Sequence, residues 1–320
     1  MEILKNEPLS KHTFYGVGGL ADELWKVDDA ESFAEVWAET QAKKIPFLIL
    51  GKGSNLLCSD AGFRGRVFSL EFKKITWNAP SLFRKEGAGG RFVTVEAGKP
   101  WQEFVEETNK KGYEDLCNLS GIPGNFGGFV RGNAGAFGLE TGDFVQTVEF
   151  LDSNGKRKIF TKEQCEFGYR ESIFKHHPEY CILRATLQLK QKAEPDQSLQ
   201  KTRTLLADRW KKYPPGKSGG SFFKNPSPAR GDVLSETEEP HEKLFAGKLL
   251  EEAGAKGDQI GHAQISERHA NFIVNLEGKA TQENILALAR KWKQKVHEKF
   301  GITLEPEIMI LDEYGKKIQV

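Results

Sequence analysis

The spacing of apolar residues changes repeatedly along this chain, and each change predicts an element. Residues 45–50 form an apolar run that reads as a buried strand, and residues 66–70 read as a second. Ahead of them Asp29 stands where a helix cap belongs, with Phe33, Val36 and Trp37 at helical spacing behind it. Strict alternation marks 92–97 and 145–150 as half-buried strands. Pro100 suits the first position of a helix bearing Trp101, Phe104 and Val105. Ser153-Asn154-Gly155-Lys156 is a hairpin turn signal, and residues 181–189 close a second α+β unit. The polar stretch 190–200 reads as a linker or the start of a long helix. Leu199, Thr202, Leu205, Leu206 and Trp210 then keep helical spacing up to Tyr213-Pro214-Pro215. Two more helices are predicted, one over 246–253 and one from Thr281. The latter places Ile285, Leu288, Ala289, Trp292, Val296 and Phe300 on one face. Residues 269–275 read as a strand, and 303–311 are strand-like. Residues 13–19, 77–91 and 228–241 read as loops.

Glycine interrupts this pattern most tellingly at two places. Gly51-Lys52-Gly53-Ser54-Asn55-Leu56-Leu57 follows the first strand, and Ser120-Gly121-Ile122-Pro123-Gly124-Asn125-Phe126-Gly127-Gly128 lies far downstream. Glycines there allow positive φ and let several backbone N–H groups point at one spot, a nest that binds anions. Neither stretch matches GxGxxG or the P-loop pattern. Two readings are open: tight turns in a compact core, or two nests for a long ligand with a diphosphate in its middle, a dinucleotide such as FAD.

Composition narrows the function classes. The chain has 320 residues, enough for two or three domains, and is 38% hydrophobic and 28% charged. Its 46 basic and 45 acidic residues balance, so charge offers no case for nucleic acid or an anionic membrane as partner. The four cysteines are widely spaced without a CxxC pair, which argues against a disulfide framework or a structural zinc and fits a reducing cytoplasm. The histidines lack metal-ligand spacing, so no metal is expected. The N-terminus lacks the apolar run of a signal peptide, and no stretch is long enough to insert in a membrane.

Three further elements could carry chemistry. In Gly168-Tyr169-Arg170-Glu171-Ser172 the arginine is either an exposed ion-paired residue or a bidentate clamp for a carboxylate or phosphate. Ser221, within Gly219-Gly220-Ser221-Phe222-Phe223, is either a turn serine or a hydroxyl brought close to a ligand; no nucleophile elbow surrounds it. In Leu304-Glu305-Pro306-Glu307-Ile308 the acids are either solvated on an edge strand or one of them faces a cleft.

Taken in order, these stretches resemble the UDP-N-acetylenolpyruvoylglucosamine reductase family, also called UDP-N-acetylmuramate dehydrogenases. The matching motifs run from residues 13–19 with Ala21-Asp22, through both nests, Asn133-Ala134-Gly135-Ala136-Phe137-Gly138 and Gly168-Tyr169-Arg170, to the last third. There they are Gly220-Ser221-Phe222-Phe223-Lys224-Asn225-Pro226, Ala246-Gly247-Lys248-Leu249-Leu250-Glu251, His269-Ala270-Asn271-Phe272-Ile273-Val274-Asn275 and Leu304-Glu305-Pro306-Glu307. The resemblance implies an α+β architecture: a two-domain FAD-binding fold of the vanillyl-alcohol-oxidase type plus a C-terminal α+β substrate-binding domain. The expected division is 1–70 joined by 305–320, then 71–198, then 199–304.

It also implies an activity, the flavin-dependent reduction of UDP-N-acetylglucosamine enolpyruvate to UDP-N-acetylmuramate with NADPH, in peptidoglycan precursor synthesis. Ser221 matches the proton donor, and Arg170 and Glu307 match the pair that stabilises the enolate-like centre. An anion beside an enolate repels it, so Glu307 is read as a neutral acid or hydrogen-bonding group. Gly51, Lys52, Gly53, Ser54, Asn55, Leu56, Ser120, Gly121, Ile122, Pro123, Gly124, Gly128 and Asn133 are the expected FAD contacts. Tyr169, Lys217 and Asn225 are expected at the substrate. The flavin ring would lie between the first two-thirds of the chain and the last third. A monomeric cytoplasmic enzyme is expected. The chain departs from the family pattern at His12, Arg131-Gly132, His262 and Met309, the last standing where an arginine is common, and the loops 77–91 and 228–243 look long. Two rivals remain at this stage: another flavoenzyme of the same fold, such as an alcohol oxidase, and a nucleotide-binding protein without activity.

Overall fold

The computed structural model describes residues 1–77, 90–226 and 244–320. Apart from residues 77, 90 and 91, the two long loops expected from the sequence lie outside the described residues. The chain divides into two compact units. One comprises Met1–Lys5, Glu23–Lys52 and Gly65–Arg209; the other comprises Asn6–Asp22, Gly53–Arg64 and Trp210–Val320.

The first unit is organised on an antiparallel sheet in the order Arg157–Thr161, Val145–Leu151, Cys181–Leu189, Arg91–Glu96, Ile75–Trp77. The central strand Cys181–Leu189 is buried along most of its length, with Arg184 its one exposed position. Helix Phe126–Gly132 packs on it and on Arg91–Glu96. The approach is close at Gly127, where a Cβ would fall 2.8 Å from that of Ala97. Helix Trp101–Lys110 adds Trp101, stacked on Phe129 with centroids 3.9 Å apart. Pro100 is the cap of this helix, one position earlier than the sequence pattern placed it. Asp29 caps helix Ala30–Ala42 by accepting from the Ser32 N–H at 2.7 Å, and Phe33 and Trp37 from that helix close over Phe68. Phe47–Leu50 and Phe63–Leu70 pair in parallel, in a sheet ordered Glu2–Pro8, Leu20–Val27, Phe63–Leu70, Phe47–Leu50.

One helix follows its sequence stripe at Leu199, Thr202, Leu205 and Leu206 but not at Trp210. In Pro195–Lys212 the fully buried positions are Ser198 and Thr202, while Trp210 is 63% exposed. The reason is polar: Asn109 donates to the Thr202 hydroxyl at 2.6 Å, and the Cys117 thiol bonds Asn109 at 3.3 Å. These buried groups need partners, and the helix face carrying Ser198 and Thr202 supplies them.

The second unit has its own core, with Tyr15, Val17, Leu57, Phe222, Phe223, Leu250, Ile285 and Trp292 among its buried residues. Helix Gln282–Phe300 buries Ile285, Leu288, Ala289, Trp292 and Val296, as its spacing predicts, and starts in a capping box between Thr281 and Asn284. A small antiparallel sheet is ordered Gln259–Ile260, Ala263–Ile265, Ile273–Asn275. The strand expected over 269–275 is thus only Ile273–Asn275, because Phe272 N–H turns back to the His269 carbonyl. The strand expected over 303–311 shrinks to Met309–Ile310, which pairs in parallel with Leu56–Leu57. Pro306 lacks a donor for a ladder and makes a single bridge with Phe223.

Candidate active site

In the first unit the fold brings Gly51, which opens the first glycine stretch, against Asn125 of the second. A Cβ on Gly51 would stand 3.6 Å from Cβ and 3.9 Å from Nδ2 of Asn125. The loop at 120–125 is held from behind. Trp101 donates its indole N–H to the Leu119 carbonyl at 3.0 Å, its backbone N–H binds the Gly124 carbonyl at 3.0 Å, and Gln102 accepts from the Gly121 N–H at 2.9 Å. Gly121 sits at φ +77° and Gly124 at φ +153°, which is why side chains are absent there.

So braced, the loop keeps donors unused. The backbone N–H groups of Ile122, Gly124 and Asn125 donate to no acceptor among the described residues. Ser120 is 1% exposed, yet its hydroxyl has no hydrogen-bond partner there. Buried polar groups are rarely left so. These groups fit a ligand rich in acceptors, as a dinucleotide diphosphate is. Ile122 and Pro123 are half-buried in the same loop, Lys52 is exposed beyond Gly51, and Gly128 faces open space.

A second arrangement in this unit surrounds Arg170. Gly168 and Glu171 bond each other across a tight turn, at 3.0 and 2.9 Å, with exposed Tyr169 and half-buried Arg170 at its tip. Arg170 has φ +57°, a strained value for a residue with a side chain, and such strain gathers at functional sites. Its guanidinium donates to the Gly135 carbonyl at 2.9 Å and lies 5.3 Å from the Tyr169 ring centre. Lys175 donates to the Arg170 carbonyl at 2.5 Å. Asn133 supports the turn from below. Its Nδ2 donates to Glu140 and to the Gly168 carbonyl, and its Oδ1 accepts from Gly142 N–H at 2.8 Å. The side chain of Asn133, expected to contact the cofactor, is therefore engaged with protein groups and links the 133–142 loop to the arginine turn.

The second unit brings Ser221, Glu307 and Asn55 together. Segment 221–224 is held on both sides. Ser221 bridges Phe272, and the Phe222 N–H binds the Asn271 carbonyl at 2.7 Å. On the other side Glu307 N–H binds the Phe222 carbonyl at 2.7 Å, and Lys224 N–H binds the Glu305 carbonyl at 2.8 Å. Asn271, 3% exposed, closes both bonding positions of Phe223: its Oδ1 accepts at 2.9 Å and its Nδ2 donates at 2.8 Å. Phe222 and Phe223 fill the core, so the half-buried serine beside them is fixed from its backbone. Asn55 donates to the Glu307 carbonyl at 3.1 Å and its own carbonyl accepts from Met309 N–H at 3.1 Å. Leu56 is buried in the strand that continues this pairing, and Ser54 beside it is half-buried. Gly53 is at φ +62° against the backbone of His12 and Thr13, where a Cβ would meet Thr13 Cα at 2.7 Å.

Lys217 and Asn225 bracket Ser221 on the same segment. A Cβ on Gly16 would fall 2.6 Å from Lys217 Cδ, so that glycine makes room for the lysine stem. The Lys217 ammonium has no acceptor among the described residues. Its carbonyl accepts from Asn275 N–H at 2.8 Å, and Asn275 in turn donates to the Tyr15 carbonyl at 2.8 Å. Asn225 accepts from the Ala246 N–H at 3.1 Å, at the start of helix Ala246–Glu252. Sequence reasoning missed Asn125, Asn271 and Asn275. Each lies inside a quoted motif, but an asparagine there is equally a turn or cap residue.

A braced glycine loop with unused donors and a serine fixed in an α+β unit define the class, an FAD-binding oxidoreductase. The family model described as "FAD binding domain" matches residues 22–160, and that described as "UDP-N-acetylenolpyruvoylglucosamine reductase, C-terminal domain" matches residues 211–311. The chain is similar to the UDP-N-acetylenolpyruvoylglucosamine reductase of Lachnoclostridium phytofermentans, at 36% identity over 96% of this chain and 92% of that protein. It is also 36% identical to that of Caldanaerobacter subterraneus subsp. tengcongensis, over 98% and 96% of the two chains. The crystal structure of the corresponding reductase from Thermus caldophilus superposes with a TM-score of 0.71 at 33% identity, covering 97% of this chain and 98% of that one. The chain belongs to the UDP-N-acetylenolpyruvoylglucosamine reductase family. Its fold is the expected α+β one, an FAD-binding region followed by the family's C-terminal domain.

Proposed function

We propose that the protein reduces UDP-N-acetylglucosamine enolpyruvate to UDP-N-acetylmuramate with NADPH, in peptidoglycan precursor synthesis. Overall, a hydride from NADPH adds to the terminal vinyl carbon and a proton adds to the carbon bearing the carboxylate. When bound, FAD supplies the two-electron redox chemistry that links coenzyme and substrate. The observation that carries the reading is Ser221, locked by backbone bonds from Phe222 to both Asn271 and Glu307 in a member of this family.

Ser221 gives its proton to the carboxylate-bearing carbon. A serine is a weak acid and serves only against a strongly basic partner, which an enolate-like carbon is. Arg170 neutralises the substrate carboxylate as negative charge grows there. Glu307 holds a hydrogen bond to the same centre. Residues 120–125 and Gly51 hold the diphosphate of FAD through the donors they keep unused. Lys217 and Asn225 serve the substrate's nucleotide diphosphate, and Tyr169 lines the sugar's entry. Residues 1–70 with 305–320, and 71–198, are assigned to the cofactor, and 199–304 to the substrate. Among the described residues no helix is long and apolar enough to cross a membrane. The enzyme is assigned to the cytoplasm as a monomer, which sedimentation of the purified protein checks.

The test is the product. Turnover in deuterated water should yield UDP-N-acetylmuramate that carries deuterium at the carbon bearing the carboxylate. No product, or a product without that label, refutes the assignment.

A further inference from the structure

Asn125 precedes helix Phe126–Gly132 and occupies its cap position, yet its side chain makes no capping hydrogen bond. This is unusual, since asparagine at that position ordinarily accepts from the helix's own N–H groups. The side chain is turned instead toward Gly51, with Nδ2 on that side and Oδ1 buried without a partner. Among the described residues the amide makes no hydrogen bond at all. An independent feature lies five residues upstream: the Ser120 hydroxyl, equally buried and equally without a partner. An asparagine that forgoes its cap and points its donor at a glycine nest is held ready for an acceptor from outside the protein.

We propose that Asn125 is a cofactor-binding residue whose side-chain amide donates to the diphosphate of FAD beside Gly51. This rests on the reading of the protein as an FAD enzyme. It adds a side-chain donor to a loop otherwise credited with its backbone.

Asparagine and aspartate cap helices equally well, so their exchange separates the two roles. Asn125→Asp places a carboxylate against a diphosphate, and like charges in contact are disfavoured. Asn125→Ala removes the donor alone. FAD release from the holoenzyme on dilution, followed by recovery of free-flavin fluorescence, gives the dissociation constant; far-ultraviolet circular dichroism reports the fold. The expected result is a dissociation constant raised about tenfold in Asn125→Ala and about a hundredfold or more in Asn125→Asp, both with wild-type dichroism. An Asn125→Asp protein purified folded and colourless is the extreme of the same outcome. Retention of FAD by Asn125→Asp at wild-type affinity overturns the proposal. Wild-type protein unable to hold FAD would instead strike at the functional reading beneath it.

Discussion

At the scale of single residues the account depends on a hydroxyl. Ser221→Ala should leave reduction by NADPH near the wild-type rate and slow the subsequent reduction of substrate by about 10²–10⁴-fold, the usual worth of a positioned proton donor. Rapid mixing of the reduced variant with substrate reads that step alone. A variant that completes both steps at the wild-type rate removes Ser221 from the chemistry. Residue roles were only partly legible in the sequence. The serine, arginine and glutamate stand out by motif and reactivity. The asparagines do not, because the same residue type caps, turns or binds according to contacts that only the fold supplies. Asn55 and Asn133 illustrate this. Both are expected at the cofactor, and the fold adds a second task for each: the side chain of the first holds the Glu307 carbonyl and that of the second holds the Arg170 turn.

At the scale of elements, the segment that carries Ser221 is a strand without a proper sheet. Segment 221–224 is flanked by bridges to Phe272 and Pro306, and Asn271 substitutes for a neighbouring strand at Phe223. Asn271→Ala leaves a buried N–H and a buried carbonyl without partners. It should lower the unfolding free energy by about 2–4 kcal/mol, measured by urea denaturation. A loss under 1 kcal/mol would mean that the segment is held by packing alone. Elements with strong periodicity were readable: Phe92 onward, Val145 onward, Cys181–Leu189 and Gln282–Phe300 all form where the pattern puts them. Bridges such as these were not, since two or three paired residues leave no period to detect. The burial of Ser198 in Pro195–Lys212 was hidden for another reason. Its buried side chains are a serine and a threonine, chosen by a buried asparagine rather than by hydrophobicity.

At the scale of the whole molecule, two units each carry a hydrophobic core, and the chain passes between them several times. Each therefore depends on buried groups keeping their charge state. The four thiols are buried and unpaired with one another, and burial pushes those of Cys58 and Cys165 up to about 12. His269 is a half-buried group that acid can charge. Burial lowers its pKa from the ordinary 6.5, opposed by Glu251, while Lys256 lowers it further. Its Nδ1 accepts from the Asn271 N–H at 3.2 Å, a bond that only the unprotonated nitrogen can make. With the folded pKa below the unfolded one, the unfolded chain binds the extra proton first. The contribution to stability is complete above about pH 6.5 and is lost as pH falls through the folded value. Melting temperature should thus decline on acidification from about pH 6.5, and His269→Asn should flatten that part of the profile. An unchanged slope in the variant assigns the decline to other groups.

The most direct test of the whole reading is made on the purified protein without oxygen, by watching its colour. The protein should emerge yellow, bleach on addition of NADPH, and regain its colour at once when the enolpyruvyl sugar nucleotide is added, but not with UDP-N-acetylglucosamine. A colourless protein, or colour restored by oxygen as fast as by the enolpyruvyl nucleotide, would contradict it.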